Sequence, residues 1–210
     1  MIVRLSPPYL RTVSEAHVRL DPTAFLSDIE EYGIAFREKI YYPALLKESN
    51  AFVWVALVQG VLAGYIAGTC DAEAFQKALG KYRPGALLSL LARASLRKPG
   101  FILRCLRTAK GLKAWEEGYP IPAEVLSFGV LPQYRTAEFE KASGRYVAEE
   151  LYQRALQSFR EMGVRQFKVM TIQKNTTANR FYEKQGLRRS GETRPFGSVC
   201  NVFVGSPNES

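Results

Sequence analysis

The sequence of 210 residues has one histidine, His17, and three cysteines, Cys70, Cys105 and Cys200, which lie far apart. That scarcity supports neither a disulfide framework nor a zinc site; the cysteines read as reduced core thiols, and no metal is expected. Ser127 has no His–Asp signature to activate it, so hydrolase chemistry has little support. His17 falls in an expected N-terminal helix and reads as structural or surface. No apolar run approaches the ~20 residues of a membrane-spanning helix, and the opening MIVRLSPPYL lacks the apolar stretch of a signal peptide. A cytoplasmic protein is expected. Internal repeats and low-complexity tracts are also missing, and 47% apolar with 23% charged content suits a single domain over 1–210.

Acids are missing from one long stretch. Residues 77–113 hold ten of the 29 Lys and Arg and none of the 20 Asp and Glu, so the net charge of +9 resides there and the remainder is nearly neutral. A nucleic-acid binder is more often basic throughout, and no nucleic-acid motif appears, so no nucleic acid is expected. The stretch reads as amphipathic helices, ALLSLLARASLRK and FILRCLRTAKGLKAW, broken at Pro84-Gly85 and Pro99-Gly100. A solvated basic face is the default reading. The run without an acid points to an anionic partner, either an acyl carrier protein or an anionic lipid surface.

Elsewhere the patterning is clear. Residues 12–47 read as helices, with Ser14 a possible cap and Pro22 a second start. FVWVALV (52–58) and VLAGYIAGT (61–69), separated by Gln59-Gly60, predict an antiparallel hairpin, with Gly64 and Gly68 marking close packing or a bulge. From residue 124 strand and helix alternate: EVLSFGV as strand, 144–163 as a helix with Val147, Leu151, Ala155 and Phe159 four apart, 164–172 as strand, then a short helix. That helix, NTTANRFYEKQG, starts at an Asn175 cap and stops at Gly186, with Ala178, Phe181 and Tyr182 on one face. A buried Tyr182 hydroxyl needs a partner or a job. LRRSGE and SVCNVFVG predict a closing hairpin.

Residues 124–187 thus spell strand, loop, helix, strand and a capped helix ending in FYEKQGL, and with LSFGVLPQYR and GRYVAEELYQRAL they resemble the GNAT superfamily of N-acetyltransferases. The resemblance covers nearly the whole chain except 71–118. It implies an α/β (α+β) fold with a mixed, mostly antiparallel sheet flanked by helices, carrying a basic helical insertion at about 71–118 between the third and fourth strands. It also implies acetyl-CoA as donor and a small amine acceptor. The backbone of Phe128, Gly129 and Val130 would hold the pantetheine arm, Asn175 and Phe181 would border it, and Tyr182 would protonate the leaving thiolate.

The pyrophosphate loop departs from the family's pattern of Arg or Gln, two residues, Gly, one residue, Gly or Ala. Alignment puts Ser143 and Tyr146 at the first two key positions, and Val147 and Ala148 at the last two. A side chain at Tyr146 obstructs backbone approach to phosphate, for which Gly144, Arg145 and Lys141 offer partial compensation. Between Pro132 and Ser143, RTAEFEKA reads as an insertion of roughly eight residues by analogy with the family. Glu124 is the best candidate base, ahead of Glu116 and Glu117. With no cysteine in the site motif, direct attack of the amine is favoured over an acyl-enzyme. The acceptor expected is small and anionic, such as an amino sugar on a nucleotide or lipid carrier. Alternatives are a GNAT-fold binding protein without turnover and an acyl carrier protein as donor.

Overall fold

The computed structural model describes residues 1–21, 26–27, 29–98, 100–101, 103, 110–111, 115–194 and 198–208. Its described strands form one seven-stranded sheet in the order β1-β2-β3-β4-β5-β7-β6. They are β1 (Ile2–Arg4), β2 (Ala51–Val58), β3 (Val61–Thr69), β4 (Ala123–Val130), β5 (Phe167–Ile172), β6 (Arg188–Thr193) and β7 (Cys200–Gly205). Every pairing is antiparallel except β4 with β5.

The β2–β3 hairpin forms where the β-branched and aromatic runs predict it. Gln59 and Gly60 take φ of 51° and 79°, the paired left-handed conformation whose twist matches the strands it joins. Along β2, Phe52 and Ala56 face one layer while Val53, Val55 and Leu57 face the other, so both faces of the sheet are covered. The glycines of β3 are there for space. A Cβ on Gly64 would lie 2.8 Å from the Gly129 carbonyl oxygen, and one on Gly68 would lie 2.6 Å from the Phe52 ring.

One layer is α7 (Val147–Glu161) with α8 (Thr176–Lys184). Val147, Leu151, Ala155 and Phe159 of α7 are all no more than 1% exposed against Ile66, Val125 and Phe167. Each large side chain so buried contributes about 1.5–3 kcal/mol. The helix starts at Val147 rather than 144, because Gly144 (φ 65°) closes a preceding helix, α6 (Ala137–Ser143). It ends before Gly163, which takes φ of 71°. β5 starts at Phe167, three residues later than the pattern suggested.

The opposite layer holds α1 (Leu10–Leu20), α2 (Glu30–Phe36), a π-turn (Arg37–Tyr41), α3 (Tyr42–Lys47), α4 (Ala72–Lys81) and α5 (Pro84–Arg97). Ser14 is not a cap: it sits inside α1 and its hydroxyl donates to the Leu10 carbonyl. α4 and α5 lie between β3 and β4, with Asp71 capping α4 and Pro84 opening α5. Most of the second basic helix, FILRCLRTAKGLKAW, Pro22, and the helix break at Pro99 lie outside the described residues.

The feature that positions a site is the parting of β4 and β5. They pair only at Ala123–Phe167, Glu124–Lys168 and Val125–Val169. A bulge follows: Ala67 faces Ser127 and Gly68 faces Val125, leaving Leu126 as the extra residue in β4. A bulge bends its strand. β4 therefore continues with β3 to Val130 while β5 continues with β7 to Ile172, and a cleft opens between them.

Candidate active site

The cleft has a volume of about 250 Å³. Its walls are Val125–Phe128 of β4 and Val169–Ile172 of β5, and α8 contributes Ala178 and Tyr182. Beyond Val125 the β5-facing edge of β4 has no strand partner among the described residues, so its backbone groups can pair with an extended ligand as an added strand would. Of the predicted donor-strand residues, Phe128 lines the cleft, whereas the Val130 side chain is buried in the core and only its backbone is at that edge. A Cβ at Gly129 would meet Leu20 Cδ1 at 2.8 Å, so this glycine lets α1 approach the strand.

Tyr182 is 4% exposed, packed on the rings of Tyr152, Phe181 and Phe203. Its hydroxyl makes no hydrogen bond with a described residue. Burial, with Tyr152 adding to it, holds the phenol well above its ordinary pKa, so it remains a proton-bearing donor. Local sequence sets this up: the Asn175 side chain accepts from Ala178 N at 3.1 Å, and Gly186 at φ 79° ends the helix after one apolar face. Phe181 is half-buried between Phe128 and Tyr152, with ring centroids 5.4 and 5.5 Å away, and so joins α8 to β4. Asn175 also lines the cleft.

Glu124 lies on the paired portion of β4, outside the cleft lining. Its carboxylate is buried, accepts from Trp115 Nε1 at 3.2 Å, and has Lys168 Nζ at 4.0 Å. Burial pushes its pKa up to about 7, against the opposing pull of the Lys168 ammonium and the Trp115 hydrogen bond. Lys168 is lowered by the same burial, and it donates to the Tyr119 carbonyl at 2.8 Å. The structure thus does not bring Glu124 and Tyr182 into one cavity. Glu116 and Glu117 line a separate hollow of about 440 Å³ with Asp71 and Glu73.

The start of α7 is where a pyrophosphate would meet free helix amides. Gly144 is left-handed and open, Tyr146 is 54% exposed, Val147 is core and Ala148 is half-buried. Arg145 is already engaged: its Nε and Nη2 reach Glu150 at 2.9 and 2.5 Å, and Nη1 donates to the Leu57 carbonyl at 3.3 Å. Glu149 and Glu150 occupy the first turn. The 135–142 stretch, which follows the 3₁₀ turn Pro132–Tyr134, is not a loop but lies mostly in α6, capped by Thr136 Oγ1, which accepts from Phe139 N at 3.1 Å. A threonine three residues before an apolar side chain, with Gly144 as the stop, was the readable signal.

Sequence reasoning missed the side chains that α1 and β7 bring to the cleft. Asp21, following α1, is its lining carboxylate, and Cys200 of β7 also lines it, contrary to the expectation of no cysteine in the site. Burial, with Asp21 adding to it, raises the Cys200 pKa and holds it as a thiol. Ser127 lines the cleft too. Its Oγ is buried with no hydrogen bond from a described residue, although the Tyr41 and Tyr42 hydroxyls lie beside it, out of hydrogen-bond geometry. Behind it, His17 Nδ1 and the Tyr42 hydroxyl are 2.9 Å apart and the imidazole stacks on Tyr65 at 5.5 Å. Burial, then the Arg37 guanidinium, lowers the His17 pKa well below its usual value, so it is a neutral structural ring. Arg37 and Tyr41 belong to the π-turn, a single-turn irregularity often found beside functional sites. Among the described residues no group of three His, Cys, Asp or Glu side chains is arranged to hold a metal.

No family model matches the sequence, and no curated protein matches it either. Solved structures do match. An N-acetyltransferase from Staphylococcus aureus Mu50 superposes with a TM-score of 0.63 at 15% identity, covering 98% of this chain and 100% of that one. The PaiA N-acetyltransferase from Thermoplasma acidophilum, in complex with coenzyme A, gives 0.57 at 13% identity, covering 98% of each. A Desulfovibrio desulfuricans protein assigned to the GNAT family gives 0.55 at 14% identity, covering 99% of this chain and 98% of that one. With a sheet that parts between its fourth and fifth strands and helices on both faces, this chain has the GNAT fold.

Proposed function

We propose that the protein is an N-acetyltransferase that moves the acetyl group of acetyl-CoA to the amine of a small acceptor. The observation that carries this is the cleft where β4 leaves β5, with an unpaired backbone edge on one side and the unpartnered Tyr182 hydroxyl on the other. The donor's extended arm would pair with β4 from Leu126 to Val130, and the buried Ser127 hydroxyl offers a further hydrogen bond. The coenzyme A complex of the structurally similar PaiA protein supports that donor. Free acetyl-CoA as substrate, and cysteines suited to a reducing compartment, support a cytoplasmic setting.

In the reaction the acceptor nitrogen attacks the thioester carbonyl, a C–N bond forms and the C–S bond breaks. Asp21, on the α1 side of the cleft, is suited to hold the incoming ammonium and receive its proton. Glu124, with a pKa of about 7, is tuned for a base but needs a relay to reach the cleft. Tyr182 donates a hydrogen bond to the departing sulfur. A phenol raised above its ordinary pKa is a poor proton source for a thiolate, so stabilisation by that bond is the larger part of its role. The basic surface favours an acceptor with an anionic portion, such as an amino sugar on a nucleotide or lipid carrier.

A second reading is favoured by the start of α7, where Tyr146 replaces a small residue and Arg145 is tied to Glu150. On it the pantetheine comes from an acyl carrier protein, or binding survives without turnover. Calorimetric titration with acetyl-CoA, beside Tyr146→Gly, tests both. Saturable binding by the native chain supports the free donor. Binding only after Tyr146 is removed sinks it and supports the second reading.

A further inference from the structure

We infer that the outward face of α5 docks on an anionic lipid bilayer. The helix has two unlike sides. Inward, Leu87, Leu90, Leu91 and Ala94 pack with Phe36, Ile40 and Phe101. Outward, Leu88, Ala92 and Leu96 stand four residues apart in one line, and the two leucines are 66% and 85% exposed. A helix facing water normally carries charges of both signs there. This face carries no acid: Arg93 borders it, Arg83 stands at the helix start, and Lys81 ends α4 just before it. Leu103, 53% exposed, follows beyond the helix end.

The cations differ in availability. Arg97 is held by Glu31 and lies over the Tyr32 ring at 5.4 Å, so it braces α5 against α2. Arg93 pairs with no described carboxylate, and Arg83 lies over the Tyr82 ring at 5.6 Å with its charge at the surface. Exposed leucines beside the surface charges of Arg93 and Arg83 match the boundary of a bilayer, where apolar side chains enter the acyl region and long basic ones reach the phosphates. An acidic protein partner accounts for the cations but not for two leucines left in water, which favours lipid over a carrier protein. Among the described residues no helix is long and apolar enough to cross a membrane, so this is attachment to the surface.

The test is co-sedimentation of the whole purified chain with vesicles of phosphatidylcholine alone, or with about one-third phosphatidylglycerol. The expected result is binding at least about tenfold stronger to the anionic vesicles, weakening as salt rises. Leu88→Glu with Leu96→Glu should reduce it by about tenfold or more, and Arg93→Glu should weaken it, with thermal melting unchanged in both. Equal binding to both vesicle types overturns the inference, as does unchanged binding by the variants. So does a native chain that ignores vesicles but forms a dimer, or a complex with an acidic carrier protein, that the leucine variants dissolve. The acetyl-CoA titration reads a different surface, so either proposal stands or falls without the other.

Discussion

Glu124 is a carboxylate whose burial should be visible as a pH dependence of folding. Its pKa is raised from 4.5 to about 7, chiefly by burial. Between those values the folded chain keeps a proton that the unfolded chain has released, so stability falls as pH rises through that window and stays reduced above it. The difference corresponds to about 3 kcal/mol. For a domain of this size that is about 10 °C of melting temperature. Glu124→Gln removes the titration while its amide oxygen can still accept from Trp115 Nε1. Lys168, also lowered by burial, gives the opposite slope, since stability recovers as pH rises from its folded pKa towards 10.5. The sign of the slope therefore separates the two groups. Urea unfolding from pH 4.5 to 8 is the assay: His17, lowered by burial, adds a slope of the opposite sign below 6.5 to both proteins, so the quantity read is their difference, and the native chain should lose about 3 kcal/mol more than Glu124→Gln across the range. A variant that keeps the native slope would show that Glu124 is not the group responsible.

The other predictions concern the cleft and its frame. Tyr182→Phe should lower kcat for acetyl transfer by about a hundredfold or more, with KM and melting little changed, in steady-state and thermal assays. Cys200→Ala should keep most of the turnover, and mass spectrometry of the native chain with acetyl-CoA should find no acetylated Cys200; an acetyl group there refutes direct attack. Gly64→Ala pushes a Cβ into the Gly129 carbonyl and should cost about 1–3 kcal/mol in urea unfolding. Phe159→Ala empties the contact between α7 and the rings of Phe52 and Phe167, and should cost about 3–5 kcal/mol.

What was legible in the sequence was local. The Gln59-Gly60 hairpin, the four-residue stripe of α7 and the Asn175 and Gly186 ends of α8 each depend on a few neighbours, and each formed as read. The cleft walls were only partly legible, because the parting of β4 from β5 rests on one extra residue, Leu126, between Val125 and Ser127, which face Gly68 and Ala67. No short-range signal fixes such a register. Asp21, Ser127 and Cys200 come from distant parts of the chain and meet only when α1 and β7 reach the same opening. The half-buried Tyr41 and the buried Tyr42 and Tyr65 read as apolar helix and strand positions, and nothing in their spacing marks them as a wall behind the cleft.

The chemistry proposed for the cleft draws on burial and on one charge seen from two sides. An acyl-enzyme route needs a thiolate, and thiolates form beside cations or free helix amides. Cys200 has the reverse setting: it is 2% exposed, and the nearby Asp21 opposes ionisation further. On the proposed reading, the carboxylate that adds to the effect of burial on this thiol is also the cleft's point of attraction for an ammonium group. Once that ammonium has lost its proton it is the stronger nucleophile within reach, and Tyr182 can stabilise only a sulfur that leaves, not one that attacks. Negative charge at Asp21, a silent thiol at Cys200 and a neutral phenol at Tyr182 are therefore mutually consistent with direct transfer from the thioester to the amine.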